Sequence, residues 1–506
     1  MTYAEFKKRH YTGLPKPATS KITEYRERID EIDREIAKLY VQRLGYSAKI
    51  GRTKLAENVP VSQPVREHDV YQNVLFACGD DAFLEKEVTK LYDFILADSK
   101  RIQGTIKANS VKCGLLGHSI SYSASPELHE KLGLYTYDLF DVEPDKLDEF
   151  FKKGEFAGLN VTVPYKREVL KYCDELDDAA REAGAVNTIM KRDGKIFGYN
   201  TDCFGFRIAL KAEGIDPAGK KCIVLGSGGA SAAVVRELKS ASAEIVTVVS
   251  RTGEVNYDNV YKICKDYDIL VNATPVGMAL DAGHSPIDIK KLELVSVVMD
   301  LIYNPFKTKL IMDAKLSGKK TANGLMMLAA QAAMSAAIFN GEEIDEQKLI
   351  KKAYELKENY IFRKKTIVLT GLPGSGKTTV GREMASSMGR HFIDLDAMVE
   401  AKAGMSIPEL IEEFGEDTFR AIEKKCLQDL AADQKSRMVI ALGGGTVLDE
   451  SNYYVIAPNS VIIMMDTPKE KLATGGRPIT DRDGIDKIIE ERMPIYERWA
   501  DVKIKI

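Results

Sequence analysis

The sequence predicts a multidomain chain: an all-α unit at the N-terminus, then two α/β units in succession. Three observations carry that expectation. At 506 residues the chain is too long for one ordinary domain, and about 150 residues per domain suggests roughly three. The hydrophobic pattern keeps a helical period for the first hundred residues, then switches to short apolar runs alternating with helical stretches. Composition is globular, 44% hydrophobic and 29% charged, which excludes disorder or coiled coil for the bulk of the chain. The 72 Lys and Arg against 75 Asp and Glu leave a net charge of -3. A dedicated nucleic-acid or membrane-surface binder would show a basic excess. Small anionic substrates need only a few well-placed cations.

Residues 1–19, with Lys7, Lys8, Arg9 and Lys16 beside Pro15 and Pro17, read as a flexible arm. From Ile22 the apolar residues fall at 22, 25, 29, 32, 36 and 39, the stripe of a long amphipathic helix. Helical segments near 66–77 and 83–103 follow, so 20–105 forms the first unit. Past the linker at 104–110, Val111–Leu116, Gly158–Val163, Cys222–Leu225, Ile245–Val249, Ile269–Asn272 and Val295–Asp300 read as strands. An Ala/Met-rich helix, Gly324 to Phe339, closes this second unit, 111–340. A charged helix within 341–364 leads to the third, 365–506, which opens on the strand Thr366–Thr370. Seven scattered cysteines without a Cys-x-x-Cys pair fit a reducing cytosol, and the six histidines show no metal-ligand spacing. No secretion-type or membrane-length apolar run is present, so a cytoplasmic protein is expected.

In the first unit the apolar stripe next reaches Arg43, and Lys54 lies eleven residues on. Eleven residues turn a helix by about 1100°, so the two share one direction about 16 Å apart. Cations on an apolar seam either snorkel to solvent or meet an anion. Arg26 is about 25 Å from Arg43 along the axis and a quarter-turn away, so only an antiparallel partner helix could bring it there. With Arg26, Arg43, Lys54, the run Gln63-x-x-Arg66-Glu67, and Ser99 and Gln103 one turn apart, the unit resembles the all-helical, intertwined-dimer chorismate mutases. That resemblance implies a homodimer in which Arg43 and the partner chain's copy of Arg26 bind the two carboxylates. Lys54 and Gln103 would hydrogen-bond the developing enolate oxygen, and Arg66, Glu67 and Ser99 would complete the substrate contacts. The family's Asp stands here as Gln63. A second reading makes the unit a dimerisation or chorismate-sensing module.

In the second unit Gly226, Ser227, Gly228, Gly229 and Ala230 follow a strand and open a helix. Such a run is either an ordinary tight turn or a dinucleotide cradle at a helix N-terminus. The next strand ends in Ser250-Arg251-Thr252 rather than an acid, which suits a 2′-phosphate and hence NADP(H). Ser123, Ser125, Asn160, Thr162, Lys166, Asn187, Asn200 and Asp202 stand at the ends of apolar runs; singly each reads as a cap or turn. Together they resemble shikimate dehydrogenase. That implies Lys166 and Asp202 as the catalytic pair, Ser123 and Ser125 on the substrate carboxylate, and Thr162, Asn187 and Gln331 on its hydroxyls. Tyr303 is implied near the substrate and Thr274 on the nucleotide side, with the nucleotide-binding part at about 205–315.

The third unit carries Gly371-Leu-Pro-Gly374-Ser375-Gly376-Lys377-Thr378-Thr379 between a strand and a helix. This is a P-loop pattern, with main-chain N–H groups and Lys377 for the phosphates of ATP and Thr378 for Mg²⁺. Asp394 and Asp396 close the next strand, where period two sets both on one side; a solvated strand end is the plain alternative. With Arg420, Gly443-Gly444-Gly445, Gly476-Arg477-Pro478 and Arg492, the unit resembles shikimate kinase. That implies Asp396 as base, Asp394 toward Mg²⁺, Arg420 and Arg492 on the carboxylate, and Gly444 and Gly445 against the substrate. Arg477, from a lid shorter than the family's, would face the transferring phosphoryl group. The whole chain then reads as a trifunctional enzyme of aromatic biosynthesis.

Overall fold

The computed structural model describes residues 20–56, 64–75, 82–108 and 112–505, apart from 122, 131, 133–134, 282, 433–436 and 473–483. The described residues form two compact units: those from 20 to 112 with 135–136, and the remainder. The first is helical wherever it is described up to residue 108, in Ser20–Ala56, Pro64–Leu75 and Ala82–Ala108. The third helix packs along the first, tied by Tyr40 Oη donating to Asp98 Oδ2 at 2.5 Å. The stripe of Ile22, Tyr25, Ile29, Ile32, Ile36 and Leu39 is 44–65% exposed. Contiguous large apolar side chains so exposed are unusual on a solvent face.

The second unit holds three sheets. The first comprises β1 (Lys112–Gly117), β2 (Thr136–Asp141), β3 (Gly158–Val161), β4 (Glu175–Leu176), β5 (Thr188–Arg192) and β6 (Lys195–Tyr199), in the order β2-β1-β3-β5-β6-β4. Its β5–β6 hairpin turns on Asp193-Gly194, both at positive φ, the turn that right-twisted strands favour. The second comprises β7 (Lys221–Leu225), β8 (Ile245–Val249), β9 (Ile269–Asn272), β10 (Val297–Asp300) and β11 (Lys320–Asn323). Its order, β11-β10-β9-β7-β8, is parallel throughout. The chain reverses its direction of winding beside β7, the switch point at which α/β sheets bind ligands.

The helix Leu325–Asn340 is buried nearly all round and packs on the helix Thr201–Ala212, so its lack of amphipathic pattern follows from its central place. The helix Glu346–Lys364 lies against it and leads to the third sheet. There β12 (Thr366–Thr370), β13 (His391–Asp394), β14 (Met438–Ala441), β15 (Ser460–Asp466) and β16 (Val502–Lys505) run parallel in the order β13-β14-β12-β15-β16. Trp499, the sole tryptophan, is fully buried beside Tyr453, ring centroids 5.1 Å apart. Among the described residues no helix is long and apolar enough to cross a membrane.

Candidate active sites

In the central region the strand β3 ends just before Thr162, and the turn after it carries Lys166. Asp202 lies in the first turn of the helix Thr201–Ala212, which Asn200 caps by accepting from the Cys203 N–H. These two elements bring Lys166 Nζ within 2.5 Å of Asp202 Oδ2, with side chains 15% and 8% exposed. A desolvated ion pair is retained at a cost unless it does chemistry or closes a network. A network surrounds it. Asn187 donates from Nδ2 to Thr201 Oγ1 at 3.0 Å and accepts the Thr201 N–H at 2.7 Å. Asn160 donates to Thr188 Oγ1 at 3.2 Å and accepts from Tyr137 Oη at 2.7 Å.

Ser123 and Ser125 stand Oγ to Oγ at 3.2 Å, and the Ala124 N–H between them donates to Tyr303 Oη at 3.3 Å. Gln331 is buried, with Nε2 on the Leu328 carbonyl, and Thr162 is half-buried. Across the cleft, Gly229 opens the helix Gly229–Ser240. A Cβ placed on it would fall 2.7 Å from Lys166 Cβ, so glycine lets this loop lie against Lys166. Gly226 has φ +100, and a Cβ on it would lie 3.0 Å from Thr274 Cγ2. Thr274 is held by the Asn272 carbonyl oxygen of its side chain, at 2.7 Å from Oγ1. Ser227, Gly228, Arg251 and Thr252 are exposed, while Ser250 and Ala230 are half-buried. An open helix start with free N–H groups and an exposed arginine one strand away fits a dinucleotide phosphate.

In the third sheet the P-loop leaves β12 and turns through Gly371, Gly374 and Gly376, all at positive φ, into the helix Lys377–Met388. Lys377 Nζ donates to the carbonyls of Gly371 and Leu372, each at 2.8 Å, folded onto its own loop. Thr378 Oγ1 donates to Asp394 Oδ2 at 2.7 Å. Hydroxyl and carboxylate at one point fit a hydrated Mg²⁺. Asp396 is not on a strand as expected. β13 stops at Asp394, whose carboxylate caps the next helix by accepting from the Asp396 and Ala397 N–H groups, so Asp396 lies in that helix's first turn. The cap, not strand alternation, places the second carboxylate.

Asp396 and the P-loop line a cavity of about 460 Å³ with Arg420, Glu423, Gly443–Gly445 and Arg492. Burial, then the neighbouring Glu423 and Asp394, push the Asp396 carboxyl up to about 6, against the pull of Lys377 and Arg420. Arg420 donates to Glu423 at 2.9 Å, and Glu423 also accepts from Thr446 Oγ1 at 2.5 Å. Glu423 escaped the sequence reading; its only signal was its place one helical turn after Arg420. Arg492 Nη1 donates to the Gly444 carbonyl at 3.1 Å. A Cβ on Gly445 would overlap the Arg420 guanidinium, and one on Gly443 would press Asp396 Oδ1 at 2.6 Å. The triple glycine is therefore room for two site side chains. Thr379 follows Thr378 in the helix and is exposed. Trp499 lies in the core and does not line the cavity. Arg477 falls outside the described residues.

In the helical unit Arg43 donates to Ser99 Oγ and, at 3.4 Å, to the Ile95 carbonyl. Ser99 and Gln103 are buried one turn apart, and among the described residues Gln103 Oε1 has no hydrogen-bond partner. Burial lowers the Lys54 ammonium below its ordinary range, and Glu67 opposes that. Glu67 is also paired to Lys100 at 2.6 Å, a cation missing from the sequence reading. Arg66 and Arg26 are exposed, and seventeen residues of helix hold Arg26 about 25 Å from Arg43. Gln63 lies outside the described residues.

The family model for chorismate mutase type II matches residues 25–104, that for the shikimate dehydrogenase substrate binding domain 115–189, and that for shikimate kinase 373–506. The NADP(+) shikimate dehydrogenase of Methanococcus maripaludis is 38% identical over 272 residues, 48% of this chain and 96% of its own length. That of Clostridium perfringens is 36% identical over 259 residues, 46% of this chain and 93% of its own. Among solved structures, a chorismate mutase/shikimate 5-dehydrogenase fusion protein from Clostridium acetobutylicum is 37% identical, covering 50% of this chain and 98% of that one, with a TM-score of 0.46.

Proposed function

The chain belongs to the shikimate dehydrogenase family and joins to it a chorismate mutase domain and a shikimate kinase domain, and on that premise we propose how its residues divide the three reactions. At the centre, Ser123 and Ser125 take the substrate carboxylate, and Thr162, Asn187 and Gln331 its hydroxyls. Lys166 and Asp202 move the proton at the C3 oxygen of 3-dehydroshikimate. NADPH, held by the Gly226–Ala230 loop with Ser250, Arg251, Thr252 and Thr274, supplies the hydride when bound. The observation that carries this assignment is the buried Lys166–Asp202 pair with Gly229 packed on the lysine side chain.

In the kinase the P-loop from Gly371 to Thr379 holds the ATP phosphates, and Thr378 with Asp394 is the place for Mg²⁺. Arg420 and Arg492 bind the shikimate carboxylate as guanidinium forks do. Asp396 takes the proton of the attacking hydroxyl; a carboxyl near 6 is a base matched to neutral pH. Arg477 supplies charge to the transferring phosphoryl group.

The mutase needs neither acid nor nucleophile. Arg43, Lys54, Ser99 and Gln103, with Arg66 and Glu67 beside them, restrain chorismate and stabilise the polar transition state. The exposed stripe and the remote Arg26 support a homodimer whose partner chain completes the site. The presence of Lys54, Glu67 and Gln103 supports catalysis over a purely dimerising or sensing role, since binding two carboxylates needs only the arginines. Assaying the purified chain for chorismate loss, 3-dehydroshikimate-dependent NADPH oxidation and shikimate-dependent ADP release tests all three readings. Absence of any one activity removes the corresponding assignment.

A further inference from the structure

The loop from Tyr303 to Thr308 leaves the dehydrogenase substrate site and runs into the kinase segment. At its head Tyr303 Oη accepts from the Ala124 N–H beside the two substrate serines. At its foot Lys307 donates across: its N–H to the Pro458 carbonyl at 2.9 Å, its Nζ to the Ser460 carbonyl at 2.9 Å and to Asp501 Oδ2 at 2.6 Å. Between them the Phe306 N–H donates to Asn459 Oδ1 at 3.4 Å.

Lys307 is 5% exposed, and a buried ammonium is tolerated only with a counter-charge. Among the described residues Asp501 is the carboxylate it pairs with. Asp501 is shared, since its Oδ1 takes Lys315 Nζ at 2.5 Å. That same ammonium reaches the carbonyls of Trp499 and Ala500 at 3.2 and 2.8 Å. Asp501 is fixed in turn by the kinase sheet: Oδ2 accepts the Ile462 N–H at 2.8 Å, and its own N–H donates to the Ile462 carbonyl at 2.7 Å. Burial works against its ionisation, but Lys307 and Lys315 hold its carboxyl below the ordinary range. Lys365, buried nearby, is pushed down to about 7 by burial and then by the neighbouring Lys307 and Lys364. A second strut comes from the connecting helix: Tyr360 meets the Tyr303 ring edge-on with centroids 6.3 Å apart, and Lys364 pairs with Glu127, two residues past Ser125, at 2.9 Å.

We infer that Asp501, a kinase-segment carboxylate, is a positioning residue for the dehydrogenase, fixing through Lys307 the loop that sets the Tyr303 hydroxyl against the substrate serines. This rests on the proposed assignment of Ser123 and Ser125 to the substrate carboxylate and on Tyr303 standing beside them. The test is steady-state kinetics of the full chain with Asp501→Asn, Tyr303→Phe and the double variant. Asp501→Asn should raise KM for shikimate about fivefold, the low end of measured coupling between sites, and leave kcat and KM for NADP⁺ unchanged. In the Tyr303→Phe background it should add nothing, because two substitutions acting on one contact are not additive.

A KM for shikimate unmoved by Asp501→Asn, or a full additional effect in the double variant, overturns the inference. A Tyr303→Phe variant with unaltered KM overturns the site assignment instead. If Asp501→Asn does not fold, Lys307→Gln breaks the same link from the dehydrogenase side. It must then show the same split between KM and kcat; equal changes in kcat and both KM values would mark a merely structural role and reject the proposal.

Discussion

The dehydrogenase domain and the helical unit bring their candidate site residues together in opposite ways. Around Lys166 and Asp202 one protomer supplies every described part, and side chains such as Asn187, Thr201 and Asn160 are already bonded to one another. In the helical unit Arg43, Ser99 and Gln103 gather on two helices while Arg26 stands apart and a row of isoleucines faces solvent. Strand ends in a doubly wound sheet converge on one crevice because the sheet makes them converge. A helix spreads its residues over tens of ångströms, so a site on its face needs another helix to fold it back.

Four outcomes would break or sharpen this contrast. Lys166→Ala should lower NADPH-dependent reduction by roughly 10³-fold, a typical loss for a positioned proton-transfer group, with kinase turnover intact; an active variant removes Lys166 from the mechanism. Lys54→Ala should cost about 10²-fold in chorismate loss, as removal of one oxyanion donor does. Unchanged turnover would leave the helical unit as a dimerisation or sensing module. Ile29→Asp with Ile36→Asp should shift the chain toward monomer in sedimentation and lose mutase activity about tenfold or more at equal concentration, since both positions are apolar interface candidates. Dehydrogenase activity should hold; if it falls in parallel, that site is not self-sufficient.

The smallest effect separates the kinase from both. With Asp396 near 6 and needed ionised, its kcat/KM for shikimate should fall about tenfold between pH 7 and pH 5. Activity lost with rising rather than falling pH across that window would exclude Asp396 as base.

Much of this was legible in the residues. β8, β9 and β12 run over the spans their apolar pattern marks, and the P-loop lies between strand and helix. The β5–β6 hairpin went unread although Asp193-Gly194 announces it; its strands mix charge into an apolar run, which blurs the alternation. Asp396 lies in a helix and not on the strand its spacing suggested, because a capping carboxylate ends a strand without changing the sequence pattern. Lys100 and Asp501 were invisible for a different cause. Each acquires meaning only from a partner brought near by the fold: Glu67 is 33 residues from Lys100, and Lys307 is 194 from Asp501. Local spacing carries no trace of such pairs.

Trp499 gives the protein a spectroscopic address. It is the single indole in 506 residues, sealed in the kinase core, with its carbonyl on Lys315 of the neighbouring domain. Selectively excited emission therefore comes from one place, and its red shift during denaturation reports the opening of that core alone. Circular dichroism sums over every helix in the chain. If the domains melt in separate steps, the two signals will trace different curves, and their divergence counts cooperative blocks without a label or a cut in the backbone.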